Sequence, residues 1–496
     1  MAQEILINIG AAEIRVAMVE DGRLQALSCE RVLGGDESGA GRSSVGDIVL
    51  GRAVRVVPAV QAAFVEIGQE RAGFLGAHEA RCLGDASGER EPAIGELVRE
   101  GDEVLVQIVK DPIGEKGARL SASVTIPGRL CVLAPYQSGV ALSRRIEDEA
   151  ERRRLAALGE ALVNDTGDDL FPGAGYIFRT AAIGAEGDGL RDDAVRLAQE
   201  WRAILAARKQ AKPPALLHRD LDAVARAIRD GVHDDTARIL IDDAEAAESA
   251  RAFCRRAVPG VESRIELFTG PGALFDMHDL ESDIDGLLHP RVALPCGGWI
   301  TIERTEALTA VDVNSGSFTH ASAIEDTGFA VNLEAAQEIG RQLRLRGIGG
   351  LVVVDFIHMR DAAHAERVVA ALTEHLAKDG VPVTISPMSQ FGLVELTRKR
   401  VREPLASLVG ESCGSCAGQG NVRRPDAVAM DILRRVEAGA RAAPGKTIRV
   451  HAAPEVVAWL AGQGEKLRTA LARRGAPAVD FVADENCSRE RFDVGT

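Results

Sequence analysis

The chain has little that would place it in a membrane or a secretory compartment. Across its 496 residues no apolar run approaches the length needed to cross a bilayer. The opening Met1-Ala2-Gln3-Glu4 lacks a basic region and a cleavage pattern, so no signal peptide is expected. Aromatic residues are scarce, at 4%, so each one near a candidate site carries information. Cysteine is sparse and isolated: Cys29, Cys82, Cys131, Cys254, Cys296 and Cys487 stand singly, and only Cys413 and Cys416 are spaced like a metal half-site. That usage excludes a disulfide scaffold and implies a reduced, cytoplasmic protein. An excess of positive charge is also missing: the formal net charge is -15. This excludes a uniformly basic nucleic-acid binder but not local basic patches, which attract phosphate whatever the total. Candidate patches are Arg152-Arg153-Arg154, Arg341 to Arg346, and Arg398-Lys399-Arg400 with Arg402.

What is present is ample core. With 46% apolar residues, a chain of this length forms several α/β domains. Residues 4–34 read as short strands, and the Gly/Ser/Asp-rich stretch from Gly34 to Ser44 as a linker. Residues 47–122 alternate short β runs with turns, the spacing of a small barrel. Residues 123–212 mix strands with charged helices, and 213–287 alternate helix and strand. Residues 288–405 hold two apolar strands, each interrupted by an acid, with an amphipathic helix of roughly 331–345 between them, closed by Gly347. Residues 406–420 carry the cysteine pair. Residues 421–496 form a small α/β tail with a helix over 455–471.

The acids are the most informative feature. In Leu308-Thr309-Ala310-Val311-Asp312-Val313-Asn314, Asp312 and Asn314 are two apart. On a strand they share one face while Val311 and Val313 take the other. Asp355 follows three valines, where a buried strand would end. A strand–helix–strand crossover is right-handed and makes its strands parallel, so both acids fall at the edge where α/β sheets bind ligands. Two carboxylates and an amide oxygen are hard donors suited to Mg²⁺. The competing reading is two acids capping turns.

Other candidates keep two readings each. Phe64 and Phe74 are either barrel-core aromatics or a base-stacking pair with Lys110 nearby for the backbone. Arg179-Thr180 is either an ordinary strand end or a grip for a terminal phosphate. Cys413 and Cys416 are either free thiols or half of a zinc site that a second chain completes.

With these pieces in order, the sequence resembles the ribonuclease E/G family over nearly its whole length. The resemblance rests on Glu306 to Ser315, Asn332-Leu333-Glu334-Ala335-Ala336, Arg341 to Arg346, Leu351 to Ile357, Phe391 to Glu395, Thr397-Arg398-Lys399-Arg400, and the CxxCxGxG run from Cys413 to Gly420. It implies a multidomain α/β architecture. A ribonuclease-H-like subdomain is split between 1–34 and 213–287. An OB-fold RNA-binding barrel occupies 35–122 and a 5′-sensor 123–212. A deoxyribonuclease-I-like catalytic subdomain spans 288–405, a zinc link 406–420 and a small dimerisation domain 421–496. The activity implied is Mg²⁺-dependent endonucleolytic cleavage of single-stranded RNA, favouring 5′-monophosphorylated ends, in rRNA and tRNA processing and mRNA decay. The alternative is a catalytically weak RNA-binding or ribosome-assembly factor on the same fold. By the same resemblance Asp312 and Asp355 hold Mg²⁺ and Asn314 orients the reacting groups. Arg179 and Thr180 bind a 5′-monophosphate, and Phe64, Phe74 and Lys110 contact RNA. Cys413 and Cys416 share one Zn²⁺ between two chains of a homodimer, which could pair into a tetramer. In length the chain resembles the short form of the family, without a scaffold tail. Where the family carries basic residues after Asn314, this loop includes Ser317 and His320.

Overall fold

The computed structural model describes residues 3–32, 44–84, 92–112, 116–164, 169–233, 235–316, 324–378, 380–401, 404–411, 413–416, 418, 420–476 and 478–495. Most of the Gly34–Ser44 stretch, and Ser317 and His320 of the loop after Asn314, lie outside them. The chain forms two compact units, 1–405 and 406–496. None of the described helices is long and apolar enough to cross a membrane.

In the first unit, Gln3–Ile9 lies between Glu13–Glu20, antiparallel, and Thr236–Ile241, parallel. The chain therefore leaves this sheet after Arg31 and rejoins it more than two hundred residues later. Period-two burial places Ile5 and Ile7 on one side, packed with the helices Ala223–Gly231 and Ala244–Ala257, and Leu6 on the other, packed with Leu274 and Phe275.

The excursion contains a closed five-stranded barrel. Ile48–Val57, Ala62–Glu66, Gly73–Gly76, Arg119–Ser121 and Glu103–Lys110 pair in turn, and the last pairs back to the first. Its interior is aliphatic: Val49, Ala63, Val65, Leu75, Val106 and Leu120. A four-stranded sheet follows, ordered Val140–Leu142, Gly175–Phe178, Cys131–Ala134, Ile126–Pro127, and packs against the helices Glu149–Val163 and Gly187–Arg208.

The acid-bearing segments lie in a six-stranded sheet, ordered Arg291–Ala293, Trp299–Arg304, Thr309–Asn314, Gly350–Asp355, Leu393–Arg398, Val383–Ile385. The central pair is parallel and its other neighbours are antiparallel. One face, with Val311, Val313, Val352, Val354 and Val394, is buried under the helices Ile324–Leu345 and Ala362–Ala377. The first of these presents Val331, Ala335, Ile339 and Leu343 to the sheet. It ends where Gly347 takes φ +66°. The Gly347 N–H then donates to Arg344 and the Ile348 N–H to Leu343, closing the last turn with a left-handed glycine. It begins seven residues before the expected start. Gly328 and Thr327 weaken the local helix signal, but the Glu325 carboxylate accepts the backbone N–H groups of Arg360 and Asp361 and anchors that first turn.

Two expectations change. The cluster Arg341 to Arg346 is not a phosphate-facing patch. Arg341 donates to the Leu24 carbonyl, Arg344 to the carbonyls of Gln25 and His375, and Arg346, buried, to Gln342. Arg341 and Arg344 thereby tie the helix to the Arg23–Arg31 strand, with Glu338 offsetting the charge by bonding Arg341. In the second unit the single helix expected over 455–471 is two, Pro454–Gly462 and Gly464–Arg473, broken where Gly464 adopts φ +56°. They flank a three-stranded sheet, ordered Val479–Ala483, Ile448–Ala452, Phe492–Gly495, together with the helix Pro425–Ala442.

Candidate active site

The six-stranded sheet leaves its second face exposed. Cross-strand partners share a face, so the registers place Thr301, Asp312, Asp355 and Leu393 in one row across four strands. Asp312 and Asp355 are direct partners at the carboxyl ends of the two parallel strands. Both are exposed. Asn314 donates from its amide nitrogen to Asp312 Oδ2 at 2.6 Å. Among the described residues no group of three or more His, Cys, Asp or Glu side chains is placed to hold a metal ion. The donor set is therefore two carboxylates and an amide. Such a set suits Mg²⁺, which keeps several waters and takes substrate phosphate oxygens as further ligands.

A residue whose role was not read from the sequence braces this edge. Asn332, fully buried on the helix Ile324–Leu345, donates to the Ile357 carbonyl at 2.7 Å and accepts from the Ile357 N–H at 3.0 Å. It fixes the backbone two residues beyond Asp355. A buried amide within an apolar helix face was the available signal, since such a group needs partners.

On the barrel, Phe64 and Phe74 are cross-strand partners whose rings meet edge to face, with centroids 6.0 Å apart and planes at 82°. They lie on the outer face, half exposed, while Ala63, Val65 and Leu75 fill the interior. The core reading of these aromatics is thereby overturned. Register extends the row to Arg55 on one side, and to Arg119 and then Lys110 on the other, all three exposed. An aromatic pair flanked by cations is suited to stacking bases and tracking a phosphate backbone. Arg55 and Arg119 could not be found from spacing, because only strand register sets them opposite Phe64 and Phe74.

Arg179 and Thr180 follow the strand Gly175–Phe178. The Arg179 guanidinium donates to the Gly128 carbonyl and to Asp230 Oδ1, both at 2.6 Å. Burial pushes the Asp230 carboxyl up, but Arg229 and Arg179 outweigh it and hold it below the usual carboxylate value. The Thr180 and Ser143 hydroxyls lie 3.3 Å apart. Glu151 secures the neighbouring turn, accepting two bonds from Arg154 and one from the Gly184 N–H. These bonds lower its carboxyl to about 2.

Cys413 is exposed and Cys416 half exposed, both as free thiols. The Cys413 thiol is drawn below its ordinary value by the backbone N–H groups of Cys416 and Ser415. Amides turned toward a sulfur favour the thiolate that zinc requires.

Comparison with known proteins places these features in a wider group. The model of the "Ribonuclease E/G family" matches residues 125–401, and that of the "RNase E/G, Thioredoxin-like domain" matches 412–496. The chain is 37% identical over 503 residues to ribonuclease G of Escherichia coli (strain K12), covering 100% of this chain and 99% of that protein. It is 36% identical over 500 residues to ribonuclease G of Salmonella typhimurium (strain SL1344), with the same coverage. It is 38% identical over 441 residues to ribonuclease E of Escherichia coli (strain K12), covering 88% of this chain and 40% of that protein.

Proposed function

The chain belongs to the ribonuclease E/G family, and from that premise we propose that it is an endoribonuclease that cuts single-stranded RNA with Mg²⁺ held by Asp312 and Asp355. The observation that carries this reading is the register pairing of the two aspartates on an exposed sheet edge, with Asn314 bonded to one of them. When bound, Mg²⁺ polarises a phosphoryl oxygen, acidifies a bound water and offsets developing charge. Asn314 keeps the Asp312 carboxylate in one orientation. Asn332 holds the turn after Asp355, so that the second carboxylate stays in place as substrate arrives. In-line attack of water on phosphorus expels the 3′-oxygen and leaves a 3′-hydroxyl and a 5′-phosphate.

Phe64, Phe74 and Lys110, extended by Arg55 and Arg119, are read as the contact surface for unpaired bases and their backbone. Arg179 and Thr180 are read as the recognition point for a 5′-monophosphate. Their segments are read as the OB-fold barrel and the 5′-sensor. Residues 1–34 and 213–287 are read as a split ribonuclease-H-like subdomain, and 288–405 as a deoxyribonuclease-I-like one. Cys413 and Cys416 are read as half of a zinc site shared by two chains of a cytoplasmic homodimer. The small domain 421–496 is read as part of that assembly. The cellular role that fits is rRNA and tRNA processing and mRNA decay.

The test incubates the purified protein with single-stranded RNA bearing a 5′-monophosphate or a 5′-hydroxyl, with and without Mg²⁺, and maps the ends. Faster Mg²⁺-dependent cleavage of the monophosphate, with 3′-hydroxyl products, is expected. Binding without cleavage would instead support an RNA-binding or assembly factor on this fold. Metal analysis of the same preparation should find one zinc per two chains.

A further inference from the structure

The exposed face that carries Asp312 and Asp355 is acidic: Glu303 and Glu395 share it. Among the strand residues that the registers place on this face, Arg291 is the only cation. It stands level with Thr301 and Asp312, two strands from the latter, which is roughly 10 Å at the backbone. Its guanidinium stacks over the Trp299 ring, 3.9 Å from the centroid. Trp299 is the cross-strand partner of Asn314. The same ring meets the loop that leaves Asn314: a Cβ at Gly316, where φ is +58°, would fall 3.1 Å from Trp299 Cζ3. Arg291 is exposed and has no carboxylate partner among the described residues. A cation seated on an indole face, beside a pair of acids and with no acid of its own, has its outer face and its N–H edges free for an anion.

On the other side of the acids stands Phe391, 74% exposed. It immediately precedes Gly392, whose carbonyl accepts the Phe356 N–H just beyond Asp355. An aromatic ring this exposed contributes little burial in the free chain, yet it stands at the sheet edge where ligands bind.

We propose that this sheet carries its own RNA subsites on both sides of the two aspartates. Arg291, seated on Trp299, binds the phosphate of a nucleotide flanking the scissile bond on one side, and Phe391 stacks a base on the other. The proposal rests on the reading of Asp312 and Asp355 as the cleavage site, and it adds the groups that hold the RNA across them. Single-stranded RNA is the occupant because stacking on Phe391 requires an unpaired base and Arg291 requires an anion. A strand laid across the edge meets both while passing the acids.

The test separates this proposal from the cleavage reading by measuring binding without turnover. In an Asp355→Asn background, a fluorescent 5′-hydroxyl decauridylate is titrated at several salt concentrations. Arg291→Ala should weaken binding about three- to tenfold and reduce the slope of log affinity against log salt by about one. Arg291→Lys should keep the slope while losing part of the affinity. Trp299→Ala should resemble Arg291→Ala, because the guanidinium loses its seat. Phe391→Ala should weaken binding with the salt slope unchanged. In the otherwise wild-type enzyme, Arg291→Ala and Phe391→Ala should raise KM with kcat retained. Unchanged affinity and slope in Arg291→Ala would overturn the phosphate contact. Unchanged RNA binding with an altered molar mass by light scattering would make the face a protein interface instead. Failure of the wild type to cleave would overturn the cleavage reading while leaving the binding measurements to judge the subsites.

Discussion

Asn314 and Asp312 are joined by an amide-to-carboxylate hydrogen bond of 2.6 Å between residues two apart on one strand. The bond restrains the carboxylate without neutralising it. The metal-binding reading needs that combination, since a salt bridge from Lys or Arg would compete with a cation for the same oxygens.

Asp312→Asn and Asp355→Asn should each lower Mg²⁺-dependent cleavage by at least about 10²-fold, the scale on which electrostatic groups at a reacting centre act. Both side chains are exposed, so unfolding free energy should move by no more than about 0.5 kcal/mol. Cleavage rates at saturating Mg²⁺ and urea denaturation check the two halves separately. Near wild-type cleavage by either variant rules out the assignment.

Asn332→Leu should act through the fold. It leaves the N–H and carbonyl of Ile357 without their side-chain partner, at a cost of about 1–3 kcal/mol for a buried unsatisfied group. It should also raise the Mg²⁺ concentration needed for half-maximal cleavage, because Asp355 loses its brace. A variant that loses stability but keeps the Mg²⁺ dependence would confine Asn332 to folding.

Phe64→Ala and Phe74→Ala remove rings from the barrel exterior. Each should weaken binding of single-stranded RNA by about 1–3 kcal/mol if it stacks a base. Thermal stability should change little, because the barrel core retains Val65 and Leu75. A large loss of melting temperature with affinity unchanged would return the pair to a structural role.

Arg179→Ala should narrow the preference for 5′-monophosphorylated over 5′-hydroxyl RNA, read as the ratio of the two kcat/KM values. A charged hydrogen bond to phosphate is worth about 1.5–3 kcal/mol. Asp230→Asn should narrow it less, since the guanidinium keeps its bond to the Gly128 carbonyl. An unaltered ratio in Arg179→Ala would remove it from end recognition.

Glu151 makes a pH-dependent contribution to stability. Its carboxyl is held at about 2 in the folded chain by Arg154 and the Gly184 N–H, against about 4.3 when unfolded. Below the unfolded value the unfolded state binds the extra proton, so stability falls with falling pH. The contribution is complete above the unfolded value and disappears as pH drops toward about 2. The urea midpoint of the wild type should therefore fall more steeply between about pH 5 and pH 2.5 than that of Glu151→Gln. Parallel falls would mean that the interaction adds nothing.

Local chemistry was enough to place Asp312 and Asn314 on one face, because side chains on a strand alternate with period two whatever lies beside it. The apolar face of the helix Ile324–Leu345 and its end at Gly347 were likewise legible, since helical periodicity and the left-handed glycine are short-range properties. The same rules failed for its first turn and for the break at Gly464, where a long-range anchor and one backbone angle decide. Tertiary structure alone set Asp312 opposite Asp355 and aligned Arg55, Phe64, Phe74, Arg119 and Lys110 across five strands. It also consumed Arg341, Arg344 and Arg346 in internal carbonyl and amide contacts while leaving Arg291 outward on Trp299. Register between strands is a pairing of distant segments and leaves no mark on the spacing within either one. An arginine cluster reads the same in sequence whether its partners are backbone carbonyls or solvent, so only the packed chain distinguishes a brace from a binding surface.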